Sequence, residues 1–135
     1  MGTDDGHENL ERLLHHVAEE AIAGDGVVVV EQPLSGFDAR VRCTSRHAPE
    51  RTAAINLNAE WLDAVFFIQP RNVGILMLDA YDEDEAYTTE RLRKLTTVVR
   101  AYLRDGGSIG TRRTWFGRRR PVLRIQVEDH EWVAR

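Results

Sequence analysis

The chain has 135 residues, 42% of them hydrophobic and 30% charged, with a formal net charge of −4. This is the composition of one globular domain, long enough to bury a core without disulfides or metals. The acidic balance argues against a general nucleic-acid binder, the single cysteine, Cys43, excludes an intramolecular disulfide, and no apolar run approaches the ~20 residues of a membrane span.

The opening stretch MGTDDGHENLERLL is acidic and has no apolar h-region, so it does not read as a signal peptide. Gly6 stands where a myristoylation signal has Ser or Thr. The expectation is a cytoplasmic protein forming a single α+β domain over residues 1–135.

The first predicted helix covers Glu8 to Ala23. Leu10, Leu13, Leu14, Val17, Ala18 and Ala21 recur on one face of it, Asp5 and Glu8 have capping-box spacing, and Gly24 offers a stop. The run GVVVVE follows, bounded by Gly26 and Pro33. Four consecutive valines predict a strand buried on both faces.

FDARVRCT alternates. Phe37, Ala39, Val41 and Cys43 point one way, and Asp38, Arg40, Arg42 and Thr44 the other. TAAINLN repeats the pattern with Ala53, Ile55 and Leu57 inward. Two apolar runs between Ala64 and Ala80, split at Pro70, predict a hairpin at the sheet centre.

A second helix follows, with Asp82 and Glu85 at its start, Leu92, Leu95, Val98, Val99, Tyr102 and Leu103 on its buried face, and Gly106 at its end. SIGTRRTW and RPVLRIQV then predict a last hairpin around Phe116-Gly117. Pro121 has no ladder donor and should mark a strand start or an edge. The element order is α-β-β-β-β-β-α-β-β. Short links favour antiparallel pairing, and two amphipathic helices cover one face. The predicted architecture is an α+β two-layer sandwich, a mainly antiparallel sheet with both helices on one face.

The chemistry-bearing residues do not assemble into a motif. His7, His15, His16, His47 and His130 lack metal-ligand spacing, and the acids of Asp79–Glu85 fail the calcium-loop pattern in both frames. Cys43 and His47 are close in sequence, but Cys43 falls on the inward phase of its strand and reads as a core thiol. The glycines from Gly106 to Gly110 follow a helix, the reverse of a phosphate loop. The expectation is a non-enzymatic protein without cofactor or metal. A deep apolar pocket holding polar groups would be the mark of a small-ligand site.

Two surface features remain. Arg40, Arg42, Arg124 and Gln126 lie on polar strand phases and would form a basic sheet face if their strands share one. TRRTWFGRRRP, residues 111–121, places arginines around a Trp-Phe-Gly centre. Arg113, Trp115, Phe116, Arg118, Arg119 and Arg120 combine aromatics with arginine, the composition of an interface hot spot. An arginine-rich edge also blocks edge-to-edge aggregation. Lys94 is the only lysine against seventeen arginines spread along the chain, so base composition of the coding sequence accounts for part of the clustering.

The layout, with the central segment WLDAVFFI…VGILMLDAY and the following helix LRKLTTVVRAYLRDGG, resembles that of small α+β immunity proteins, cytoplasmic antidotes that bind bacterial toxin domains. The resemblance implies a protein partner and carries over no functional residue. The leading reading is a non-enzymatic protein-binding domain, an immunity-type inhibitor whose partner presents an acidic surface. The alternative is a nucleic-acid-binding accessory protein using the arginine-rich hairpin.

Overall fold

A computed structural model describes residues 2–69, 72–80, 84–104, 106–113, 117 and 119–135. Two helices and two antiparallel sheets make an α+β fold. Helix α1 spans Gly2–Ile22. Five strands follow, β1 (Gly26–Glu31), β2 (Ala39–Ser45), β3 (Thr52–Leu57), β4 (Trp61–Gln69) and β5 (Asn72–Asp79). Helix α2 spans Glu85–Leu103, and the chain ends with β6 (Ser108–Arg113), β7 (Arg119–Val127) and β8 (His130–Ala134).

The first sheet is a meander, β1-β2-β3-β4-β5, and the second is β6-β7-β8. Directly opposed residues of an antiparallel pair share a face. The register therefore puts Ala39, Val41, Cys43, Ala53, Ile55, Leu57, Leu62, Ala64 and Phe66 on one face of the large sheet. All are buried in one core with Leu14, Val17, Ala18 and Ile22 of α1 and Leu92, Leu95, Val98 and Val99 of α2. Leu123 and Ile125 of β7 join the same core, so the second sheet closes over α2.

Tertiary contacts hold the C-terminal end of α2, where free carbonyls need donors. The Ser45 hydroxyl donates to Leu103 O at 2.7 Å. Arg51 Nη1 donates to Tyr102 O at 2.8 Å and Gly106 O at 3.0 Å. Arg100 and Arg104 reach Asp25 at the α1–β1 corner, with Nε to carboxylate distances of 2.9 and 2.8 Å. Burial alone would raise the Asp25 pKa, but hydrogen bonds and charge from both arginines outweigh it and hold the carboxyl below its ordinary range.

Backbone hydrogen bonds between Ile75 and Arg135 join the first sheet to the chain end that follows β8. Ile75 N donates to Arg135 O at 2.9 Å, and Arg135 N donates back to Ile75 O at 3.2 Å. Gly74 permits this approach, because a Cβ there would lie 3.0 Å from Ala134 O.

Several sequence expectations need correction. The order is α-β-β-β-β-β-α-β-β-β, with β8 the added strand. Its link to β7 is only Glu128 and Asp129, without the Gly or Asn that signals a two-residue hairpin turn. β1 is not buried on both faces. It is an edge strand, with Val27, Val29 and Val30 exposed. The β4–β5 hairpin is not the sheet centre. In a five-strand meander the third strand is central, so β5 lies at the margin. α1 begins at Gly2, which leaves Asp5 inside the helix rather than capping it. Asp84 caps α2, its side chain accepting from Tyr87 N, while Asp82 lies outside the described residues.

Candidate functional site on the outer sheet face

The helices cover one face of the large sheet. On the other, register aligns three consecutive cross-strand rows. The first is Glu31, Arg40, Asn56, Asp63 and Met77. The second is Val29, Arg42, Ala54, Val65 and Ile75. The third is Val27, Thr44, Thr52, Phe67 and Val73.

The first row is a hydrogen-bonded ladder across four strands. Arg40 Nε donates to Glu31 Oε1 at 3.2 Å and its Nη1 to Asn56 Oδ1 at 2.9 Å. Asn56 Nδ2 donates to Asp63 Oδ1 at 2.8 Å. Arg42 Nε joins from the second row, donating to Glu31 Oε1 at 3.1 Å, and its guanidinium stands 5.0 Å from the Phe67 ring centroid. Arg40, Asn56 and Asp63 are buried although no helix lies over them. Their neighbours shield them, and their partners satisfy them.

Each carboxylate responds to its surroundings. Burial pushes Glu31 upward, but hydrogen bonds from Arg42 and Arg40 more than compensate and its pKa lies below the ordinary value. Burial dominates at Asp63, so its pKa is raised despite the Asn56 hydrogen bond and the Arg40 charge. Two acids face two guanidinium groups, and the formal charges cancel.

Around this ladder the surface is apolar. Among the described residues the large exposed hydrophobic side chains number eight, and five of them are on this face: Val27, Val29, Val73, Ile75 and Met77. Val29 is 52% and Met77 58% exposed. These five form two groups, Val27 and Val29 on β1 and Val73, Ile75 and Met77 on β5, which flank the polar rows from the opposite edges of the sheet.

The basic face expected from Arg40, Arg42, Arg124 and Gln126 does not form. Arg40 and Arg42 converge on Glu31, while Arg124 belongs to the second sheet and pairs with Glu131 at 3.1 Å. The arginine-rich hairpin does form as β6–β7. Its register opposes Arg112 to Arg120 and Arg113 to Arg119, and Gly117 (φ 74°) lies in the connection. Arg120 is exposed. Trp115, Phe116 and Arg118 lie outside the described residues. Pro121 sits opposite Thr111, beyond the reach of β8, which ends opposite Leu123. There, among the described residues, β7 has β6 as its one neighbour, the edge position in which a sheet tolerates proline.

Cys43 is fully buried, and burial, with a smaller contribution from the Glu19 charge, raises its pKa to about 12. His47 is exposed in the β2–β3 loop, so the two make no nucleophile–base pair. Among the described residues no three His, Cys, Asp or Glu side chains are grouped to hold a metal ion.

Glu31, Asn56 and Asp63 escaped notice in the sequence. They belong to no motif, and only register brings them into one row. Compared with known proteins, the chain matches no family model, no curated protein and no solved structure, so the reading of its function rests on this geometry.

Proposed function

We propose that this protein is a non-enzymatic protein-binding domain that docks through the outer face of its large sheet, and that it acts as an immunity-type inhibitor of a toxin domain. The observation that carries the binding reading is the Glu31–Arg40–Asn56–Asp63 ladder, charge-balanced with Arg42 and flanked by exposed Val29 at one sheet edge and Ile75 and Met77 at the other. Apolar contact would supply affinity, and the fixed polar row would supply register. The hairpin adds a preference for an acidic partner, because the opposed arginine pairs of β6 and β7 gain from an anionic surface. The inhibitor role extends this reading from the layout resemblance.

The test is co-expression with the product of the neighbouring gene, followed by size-exclusion chromatography of wild type and of the Val29→Asp/Met77→Asp variant. The expected result is a complex with the wild type and none with the variant, whose circular dichroism is unchanged. A complex that survives both substitutions would move the interface off this face. The nucleic-acid reading predicts instead that single-stranded DNA binds with steep salt dependence and that Arg119→Glu/Arg120→Glu abolishes binding.

A further inference from the structure

On the helix side of β5, a cleft of about 530 Å³ opens between α2 and the second sheet. It lies away from the outer face, and the inference drawn from it is independent of the docking proposal. Arg91, Lys94 and Thr97 line it from α2, Leu78 from β5, Val127 from β7 and Trp132 from β8. The α2 residues recur every three positions, which keeps them on neighbouring parts of one helix surface. The cleft therefore has cationic and hydroxyl groups along one wall and aliphatic and indole surface on the others. Its size falls within the range of small-molecule sites.

Arg91 is held in place with unused donor capacity. Its Nη2 lies 2.9 Å from Asp79 Oδ1, and its guanidinium stands 5.8 Å from the Tyr87 ring centroid. Asp79 also accepts from the Tyr87 hydroxyl at 2.9 and 3.0 Å. Yet Arg91 Nε is buried and has no acceptor among the described residues. A buried charged donor without an acceptor is costly, and a small shift of the partly exposed side chain would let a ligand oxygen satisfy it. Lys94 makes only a loose surface pair with Glu90, at 3.7 Å. At that distance the contact is longer than a hydrogen bond and does not fix the half-exposed ammonium.

The mouth of the cleft narrows the ligand class. Glu128 and His130 complete the lining. His130 meets the Trp132 ring edge-on at 4.8 Å, which steadies the indole wall. Glu128 is the only non-glycine residue with positive φ, 54°, among the described residues. Its place in the two-residue β7–β8 turn accounts for this conformation. A carboxylate at the mouth disfavours ligands carrying two or more negative charges.

We propose that this cleft binds a small organic monoanion, a carboxylate on a flat apolar body, with Arg91 and Lys94 taking the carboxylate and Trp132, Leu78 and Val127 the body.

The experiment is a ¹H–¹⁵N NMR titration of the full chain with 2-naphthoate, with neutral 2-naphthamide as control. Saturable shifts are expected at the Trp132 indole N–H and at the amides of Lys94, Thr97 and Val127. The amide should bind about tenfold more weakly, the effect of losing charge-assisted hydrogen bonds. Lys94→Gln, at an exposed position, should weaken naphthoate binding several-fold without altering the spectrum of the free protein. Arg91→Gln should weaken it further if that variant folds, and the Lys94 variant decides the question if it does not. Absence of saturation, equal binding of acid and amide, unchanged affinity in Lys94→Gln, or shifts centred on Val29, Ile75 and Met77 would each overturn the proposal.

Discussion

Asn56 and Asp63 face each other across β3 and β4, and the amide of one donates to the carboxylate of the other at 2.8 Å. Asp63 thus ends a ladder that begins at Glu31, and its two acids titrate in opposite senses. Glu31, clasped by Arg42 and Arg40, is held below its ordinary pKa, whereas Asp63, where burial prevails, is held above it.

The raised pKa of Asp63 makes its ionisation a load on the fold. The native state retains the proton more tightly than the unfolded chain, so this group's contribution to stability falls as pH rises from about 4 through its folded pKa. Asp63→Asn removes that dependence and keeps an acceptor for Asn56. At neutral pH the variant should be at least as stable as the parent. Urea denaturation across pH 3 to 7 is the measurement. A variant much less stable at pH 7, with an unchanged pH slope, would mean that the attraction of Arg40 outweighs burial.

Asp25 carries the opposite sign. Its pKa is depressed, so its contribution is fully present above the ordinary carboxylate value of about 4 and is lost as pH falls through the folded pKa. Asp25→Asn should lower stability at pH 7 and flatten the acid limb of the stability curve. The loss should be felt at the end of α2, because Arg100 and Arg104 share this one carboxylate. Hydrogen exchange at the amides of residues 99–104 should quicken. An acid limb identical to the wild type would show that other carboxylates govern it.

Gly74→Ala tests the joint between the two sheets. The added methyl would lie 3.0 Å from Ala134 O and 3.2 Å from Ala134 Cβ. Overpacking of this kind typically costs about 1–3 kcal/mol. The Ile75–Arg135 hydrogen bonds should lengthen or break, and residues 130–135 should lose exchange protection before the large sheet does. A stability change within about 0.5 kcal/mol, the range of surface substitutions, would mean that β8 yields freely.

Cys43 should be inert in the native protein, since its thiolate is both inaccessible and disfavoured, with a pKa of about 12. An aromatic disulfide reagent should label it only after denaturation. Rapid stoichiometric labelling of the folded chain at pH 7 would contradict its burial.

Local pattern is enough to recover much of this molecule. Helical spacing of Leu14, Val17, Leu92, Leu95 and Val99 identified the faces that enter the core, and alternation in FDARVRCT set Cys43 inward and Arg40 and Arg42 outward. These are properties of chain geometry, with periods of 3.6 and 2 residues, and they need no knowledge of neighbours. Other features depend on which strands become neighbours. GVVVVE reads as an interior strand but lies at the edge, because its place in the meander leaves it one partner. Glu31, Arg40, Asn56 and Asp63 are separated by loops of differing length, and only strand register aligns them. Asp25 and Arg100 are 75 residues apart in sequence, and the cleft beside Arg91 exists only because the second sheet brings Val127 and Trp132 to α2 and β5. Alternation tells each side chain which face it takes. Which residue stands beside it is settled by non-local pairing and by packing of the whole core, and in this protein that pairing makes both the outer face and the cleft.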